Sequence, residues 1–214
     1  MSEQLLTQII KEGKIKAELD ELFGKLFQKE TYAGIELKMN QTPIQIFIKV
    51  LNPAELLEKK PMIQKQLQNM IAQRLNMIPE HIRIVFEKII DKALEPAYHA
   101  ELLRQAFINV QPYKRTINSI IRSVRQAGGQ GVCIRVSGKI KGQRAKATKF
   151  IDGLLIQAGQ PAKEYIRKAK AIALCKQGVI GIQISIMLPY DSEGIRGPSE
   201  LIADKIKVIS PKNN

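Results

Sequence analysis

The sequence predicts an α+β protein with two domains, because helical and strand-like segments are grouped rather than strictly alternating. Apolar residues recur at every third or fourth position in some segments and at every second position in others. Prolines at positions 79 and 96 punctuate the pattern between the two groups. We therefore expect a first domain at residues 1–95, a second at 96–190 and an extended tail at 191–214.

The first domain is expected to run helix, strand, strand, helix, strand. An apolar stripe from Ile15 to Phe27 marks its first helix, and its first two strands form a hairpin across a polar turn. Pro61 is interpreted as the first residue of the second helix, because a proline has no N–H to leave unsatisfied there. The expected helices are 14–28 and 61–75, and the expected strands are 34–39, 43–50 and 82–86.

The second domain is expected to hold two helices followed by four strands. Gly128 and Gly129 end the second helix, as glycines commonly do just beyond a helix. We expect both helices on one face of a mostly antiparallel sheet, which makes an α+β sandwich. The expected helices are 98–110 and 113–127, and the expected strands are 131–138, 149–157, 163–175 and 179–188.

Charge is distributed very unevenly along the chain. The net charge is +14, but residues 1–95 contribute only +1 and residues 96–214 contribute +13. Between Glu101 and Asp152 there are eleven Lys and Arg residues and no acid. A solvated basic face is the simplest alternative, but a surplus of this size favours a polyanionic partner, and nucleic acid is the commonest.

The segment 113–127 is expected to place its charges on one side of a helix. At about 100° per residue, its polar and basic residues fall within an arc of about 100°, and its isoleucines lie on the other side. The segment contains no acid, so its cations are expected to face phosphates rather than carboxylates. The polar arc consists of Lys114, Arg115, Asn118, Arg122 and Arg125.

A second basic cluster lies at residues 139–149, where strand patterns flank Gly142. We interpret it as a loop or hairpin tip whose glycine lets the backbone approach a phosphate closely. An arginine there can bind a phosphate through two nitrogens, whereas the lysines act as point charges. Its cations are Lys139, Lys141, Arg144, Lys146 and Lys149.

Several functional classes find no support in the sequence. Phosphate-binding loops, nucleophile elbows and Cys/His zinc spacings are absent, so we expect no catalytic residue, metal or cofactor. Cys133 and Cys175 are expected to be free thiols, and no run of 18 apolar residues suggests a membrane span. Because Trp is absent and aromatic residues make up 5%, recognition of phosphates and RNA shape is favoured over base stacking.

Three motifs resemble small ribosomal subunit protein three of eukaryotes and archaea. They are V-S-G-K-I-K-G-Q-R-A-K at 136–146, K-F-I-D-G-L at 149–154 and Q-G-V-I-G-I-Q-I-S-I-M-L-P-Y-D at 177–191. The resemblance implies a type II KH domain followed by an α+β sandwich in the head of the small subunit. It implies binding of ribosomal RNA and neighbouring head proteins. It also implies a position along the channel by which messenger RNA enters.

The resemblance assigns roles to individual residues. Lys114 and Arg115 align with a basic pair that faces the message, and Arg122 matches a further family arginine. We expect the other cations to bind ribosomal RNA, in the cytoplasm, with passage through the nucleus during assembly if the source is eukaryotic. These cations are Arg125, Lys139, Lys141, Arg144, Lys146 and Lys149.

The sequence departs from the family pattern in the first domain. A KH domain clamps nucleic acid with a G-x-x-G loop, but no glycine lies between Gly34 and Gly128. The corresponding stretch is E-K-K-P at 58–61, so Lys59 and Lys60 are the remaining candidates in a degenerate loop. The tail is also short for the eukaryotic branch, which weakens the case for a WD-repeat scaffold partner.

Two other functions stay open at this point. Members of the family are described as nicking DNA at abasic sites, where a lysine could form a Schiff base. A free RNA-binding regulator is the third hypothesis, although the lost glycine loop and the few aromatic residues disfavour it.

Overall fold

The computed structural model describes residues 3–27, 30–39, 41–140, 142–202 and 206. It divides into two compact units, Met1–Lys92 and Ala93–Asn214. The division falls between Lys92 and Ala93, whereas the sequence pattern placed it after Glu95. The α+β class expected from the sequence is confirmed.

The N-terminal unit is built around a three-stranded sheet in the order β1-β2-β3. Its elements are α1 (Glu3–Leu26), β1 (Tyr32–Lys38), β2 (Ile44–Val50), α2 (Pro53–Lys59), α3 (Ile63–Leu75) and β3 (Ile82–Lys88). Strands β1 and β2 form the expected hairpin, whereas β2 and β3 are parallel, so α2 and α3 carry the chain between them. Phe23, Phe27, Ile46 and Ile48 are fully buried in the core, which gives this unit a KH-like α-β-β-α-α-β architecture.

Two expectations for this unit were wrong. The first helix begins at Glu3 rather than at residue 14. The pattern missed its early turns because their apolar residues, such as Ile9 and Ile10, are exposed and do not continue the buried stripe. Pro61 does not begin a helix. Pro53 does so, in the short helix α2 that the pattern missed, and Pro61 lies in the turn before α3.

The C-terminal unit places two long helices on a four-stranded antiparallel sheet in the order β5-β4-β7-β6. Its elements are α4 (Pro96–Ile108), α5 (Tyr113–Gln126), β4 (Gly131–Gly138), β5 (Lys146–Gly153), α6 (Gln160–Tyr165), β6 (Ile166–Cys175) and β7 (Gly178–Met187). The buried side chains of α4 and α5 pack with alternate residues of β4 and β7, such as Ile134 and Ile184. The expected sandwich of two helices on four strands is confirmed.

Two strands of this unit differ from the prediction by three residues or more at one end or both. The second strand is Lys146–Gly153 rather than 149–157, because the eight residues of β4, Gly131–Gly138, pair one to one with the eight residues Lys146–Gly153. The start of the expected strand 163–175 is the short helix α6, which has Pro161 in its first turn. A helix of six residues is too short to show a helical period in the sequence.

The first part of the expected tail is packed rather than extended. The carboxylate of Asp191 accepts backbone N–H bonds from Glu193, Ile195 and Arg196 and closes a turn. The N–H of Arg196, followed by that of Glu193, is the main cause that lowers the pKa of Asp191 below its ordinary value. The Tyr165 hydroxyl donates to the carbonyl oxygen of Glu200, so the chain stays against the unit to this point.

Candidate nucleic-acid interface

Helix α5 presents the basic face that its sequence predicted. Ile117, Ile120 and Val124 are buried against the sheet, which fixes the rotation of the helix. Lys114 and Arg115 are exposed in the first turn, at the end of the helix where the backbone dipole is positive. No acidic residue in that turn offsets their charge. The exposed side chains of the outer face are Lys114, Arg115, Asn118, Arg122 and Arg125.

The acid-free stretch is bounded by two acids that fold back onto it. Glu101 and Arg104 form a largely buried pair at 2.6 Å, which raises the pKa of the Arg104 guanidinium. Asp152 accepts two hydrogen bonds from Nη2 of Arg125, with an N–O distance of 2.5 Å. The interpretation that the helix face has no acid to pair with was therefore wrong at its last turn. The pairing of β5 with β4 brings Asp152 there from a distant part of the sequence.

The second basic cluster, at residues 139–149, lies partly in the connection between β4 and β5 and partly in β5 itself. Lys139 and Arg144 are exposed between β4 and β5, and Lys141 lies outside the described residues. Lys146 and Lys149 belong to β5 rather than to the loop, and because they are three positions apart they point to opposite faces of the sheet. The structure therefore does not bring all five predicted cations onto one surface.

The sequence reasoning missed cations that lie within the strands, and Arg135 is one of them. Arg135 lies in β4 directly opposite Lys149 of β5, and its side chain is exposed on the face of the sheet away from the helices. The available signal was a single charged residue inside an otherwise apolar strand, G-V-C-I-R-V-S-G. Its relation to Lys149 depends on the strand register, which the sequence does not display.

Metal sites, disulfides and membrane-spanning helices are all absent from the described part of the chain. The residues described include no group of three His, Cys, Asp or Glu side chains arranged to hold a metal. Cys133 and Cys175 are free thiols, as expected. None of the helices in the described ranges is both long and apolar enough to cross a membrane.

Comparison with known proteins connects this geometry to a family. The model of the ribosomal protein S3 C-terminal domain matches residues 103–186, which include α5, β4, β5 and β6. Small ribosomal subunit protein uS3 of Encephalitozoon cuniculi (strain GB-M1) is 42% identical over 210 residues, 98% of this chain and 97% of the relative. This chain belongs to the uS3 family. The resemblance inferred from its motifs is confirmed, and the family is one of structural proteins of the small ribosomal subunit.

Both lysines of the segment 58–61, where the G-x-x-G loop of a KH domain was expected, are paired with acids. Lys59 pairs with Glu55 at 2.5 Å, and Lys60 pairs with Glu30 at 3.2 Å. The hydrogen bond from Lys59 is the main cause that lowers the pKa of Glu55. A cavity of about 440 Å³ beside this segment is lined by both carboxylates as well as both lysines, so its charges are balanced and do not favour a phosphate.

Proposed function

We propose that this uS3-family chain is a structural constituent of the small-subunit head that binds RNA through its C-terminal unit. Ribosomal RNA and other ribosomal proteins are the partners that membership of the family supports. Within this role, we assign Lys114, Arg115 and Arg122 to messenger RNA at the entry channel. We assign the remaining basic residues to ribosomal RNA, namely Arg125, Lys139, Lys141, Arg144, Lys146 and Lys149.

The observation that carries the proposal is the uncompensated start of α5. Lys114 and Arg115 are exposed in its first turn, with no acid in that turn, so their charges repel each other and oppose the helix dipole. A phosphate at this end would be attracted by both side chains and by the positive end of the helix dipole. The pair is therefore better suited to a passing nucleic-acid backbone than to an internal role.

The N-terminal unit has a different part in this proposal. Because Lys59 and Lys60 are already paired with carboxylates, we assign this KH-like unit to packing within the head rather than to clamping RNA. In this role the chain functions in cytoplasmic ribosomes, with passage through the nucleus during assembly if the source is eukaryotic. A WD-repeat scaffold is a further candidate partner, and the short tail disfavours it.

Catalysis on abasic DNA fits the structure less well. A Schiff base needs a neutral lysine amine, which proteins obtain by burying the side chain or placing it beside another cation. The described lysines of the C-terminal unit are exposed. A structural role is the one that the family supports.

The test uses small subunits that carry Lys114→Ala and Arg115→Ala together. We expect these subunits to assemble normally but to bind single-stranded message with a salt slope reduced by about 1.4, as for two lost phosphate contacts. They should also unwind structured messages more slowly. A matched control carries Lys59→Ala and Lys60→Ala, which removes the same charge.

Two results would contradict the assignment. Subunits that fail to assemble with the Lys114 and Arg115 variant would make the pair structural rather than message-facing. Equal salt slopes for the variant and its control would show that the start of α5 does not contact the message. Absence of the wild-type chain from sedimenting small subunits would contradict the proposed function as a whole.

A further inference from the structure

The face of the C-terminal sheet away from α4 and α5 carries its own row of cations. Alternate residues of β4 and β7 point to the helices, so the intervening residues share the opposite face, called here the open face. Strand register places one residue from each strand in a line across it. That line is Lys149, Arg135, Gln183 and Lys170, and Lys168 lies in the next row.

Carboxylates are absent from the strand residues of the open face. The four strands lie wholly within the described ranges, and Asp152 is their only acid. It points to the helix side, where it pairs with Arg125. Arg167 of β6 also points to the helix side and pairs with Glu95 at 3.1 Å. Arg125 and Arg167 are thus compensated on the helix side, whereas the open face sets Arg135 directly opposite Lys149, an arrangement that destabilises a sheet.

The open face is concave where these cations gather. One end of the face is covered by a small apolar cluster that includes Tyr165 and Met187. Beside this cluster lies a cavity of about 420 Å³, with Ser185 of β7 only 7% exposed at its floor. Its polar lining includes Arg135, Lys149, Lys168, Gln157, Gln183 and Ser185.

We propose that this cavity and the cationic row beside it bind backbone phosphates of the small-subunit ribosomal RNA. The inference rests on the proposed function and adds a second RNA surface, on the opposite face of the sheet from α5. A guanidinium can hold a phosphate through two nitrogens, the ammonium groups add charge, and amide and hydroxyl groups donate to the remaining oxygens. The carboxylates of an acidic protein could accept from the same donors; the proposed place in the small subunit favours RNA, and an acidic protein is the alternative that ribonuclease digestion detects.

The rate of lysine acetylation measures whether RNA covers this face, and it needs no substitution in the protein. The rates at Lys168 and Lys170 are compared between the free full-length chain and small subunits that contain no message. We expect both lysines to be strongly protected in the subunits and to regain their reactivity after ribonuclease digestion. Lysines that remain reactive in the subunits, or protection that survives digestion because a protein covers the face, would overturn the inference.

A charge-removal series gives a second measure. The variant Arg135→Gln, Lys168→Gln, Lys170→Gln leaves every residue assigned under the proposed function intact. It should lower the salt slope of ribosomal RNA binding by about 2 to 3, as for three lost phosphate contacts. The control Lys11→Gln, Lys65→Gln, Lys88→Gln removes the same charge from exposed positions of the N-terminal unit. It should keep the wild-type slope, and equal slopes for the two variants would overturn the inference.

These results separate the two claims. A chain that enters small subunits while Lys168 and Lys170 stay reactive retains the proposed function and loses the open-face site. A chain that never enters small subunits loses the proposed function itself.

Discussion

Replacing Asp152 by Asn should strengthen the binding of RNA while leaving the fold intact. In the structure Asp152 holds the guanidinium of Arg125 through both carboxylate oxygens. The Arg125 side chain is 71% exposed and that of Asp152 is 29% exposed, so the pair is largely solvated. Its loss should therefore lower the free energy of unfolding by no more than about 1 kcal/mol.

The gain for RNA follows from the charge that the substitution releases. Arg125 lies on the same face of α5 as Arg122, so a freed guanidinium adds one cation to an existing basic surface. Arg125 is assigned to ribosomal RNA, but in the wild type Asp152 neutralises its charge. Its release should make a full phosphate contact, which steepens the dependence of log Kobs on log salt by up to about 0.7 to 0.9. Between 50 and 200 mM salt, the affinity of the variant should fall about threefold more than that of the wild type.

Fluorescence anisotropy of the full-length chain with a labelled ribosomal RNA fragment, titrated at several KCl concentrations, measures this slope. Glu164→Gln is the matched control, because it also removes one negative charge from the C-terminal unit but faces Gln160 rather than an arginine. Equal slopes for the two variants would refute the reasoning, since the effect would then be one of net charge alone. A large fall in thermal stability of Asp152→Asn would refute the assignment of the pair as solvated.

Two predictions concern stability. Gly131→Ala should destabilise the C-terminal unit by about 2 to 4 kcal/mol, because its Cβ would lie 1.9 Å from the carbonyl oxygen of Leu154. Urea unfolding measures this loss. The control is Gly142→Ala, whose Cβ meets nothing within 4 Å, and an equal loss there would contradict the proposed cause. Burial lowers the pKa of His99, although its bond to the carbonyl of Ala93 opposes this. As pH falls, His99 should therefore be protonated in the unfolded chain before it is protonated in the folded one. The free energy of unfolding should decline as pH falls below about 6.5 and through the folded pKa. Melting temperatures from pH 7.5 to 5 test this, and the same decline in His99→Gln would contradict it.

The sequence predicted the elements whose burial is periodic. Alternating isoleucines in β7 and the stripe of α5 are direct records of one buried face, so both elements were found close to their observed bounds. Helices α2 and α6 have seven and six residues, and so short a segment does not complete enough turns to show a period.

The candidate site was less predictable because its grouping depends on strand register. Lys146 and Lys149 are close in sequence but lie on opposite faces, whereas Arg135 and Lys149 are distant in sequence and directly opposite in the sheet. The same non-local pairing brings Asp152 to Arg125. Spacing along the chain therefore located the basic residues but could not assign them to surfaces.

The packing of the segment after β7 also has a consequence for synthesis of the chain. Tyr165 donates to the carbonyl of Glu200, and Ile202 packs against the small cluster at the end of the open face. During translation these contacts cannot form until residue 202 has left the exit tunnel. A nascent C-terminal unit thus exposes its small apolar cluster, beside the cations of the open face, until residue 202 has emerged.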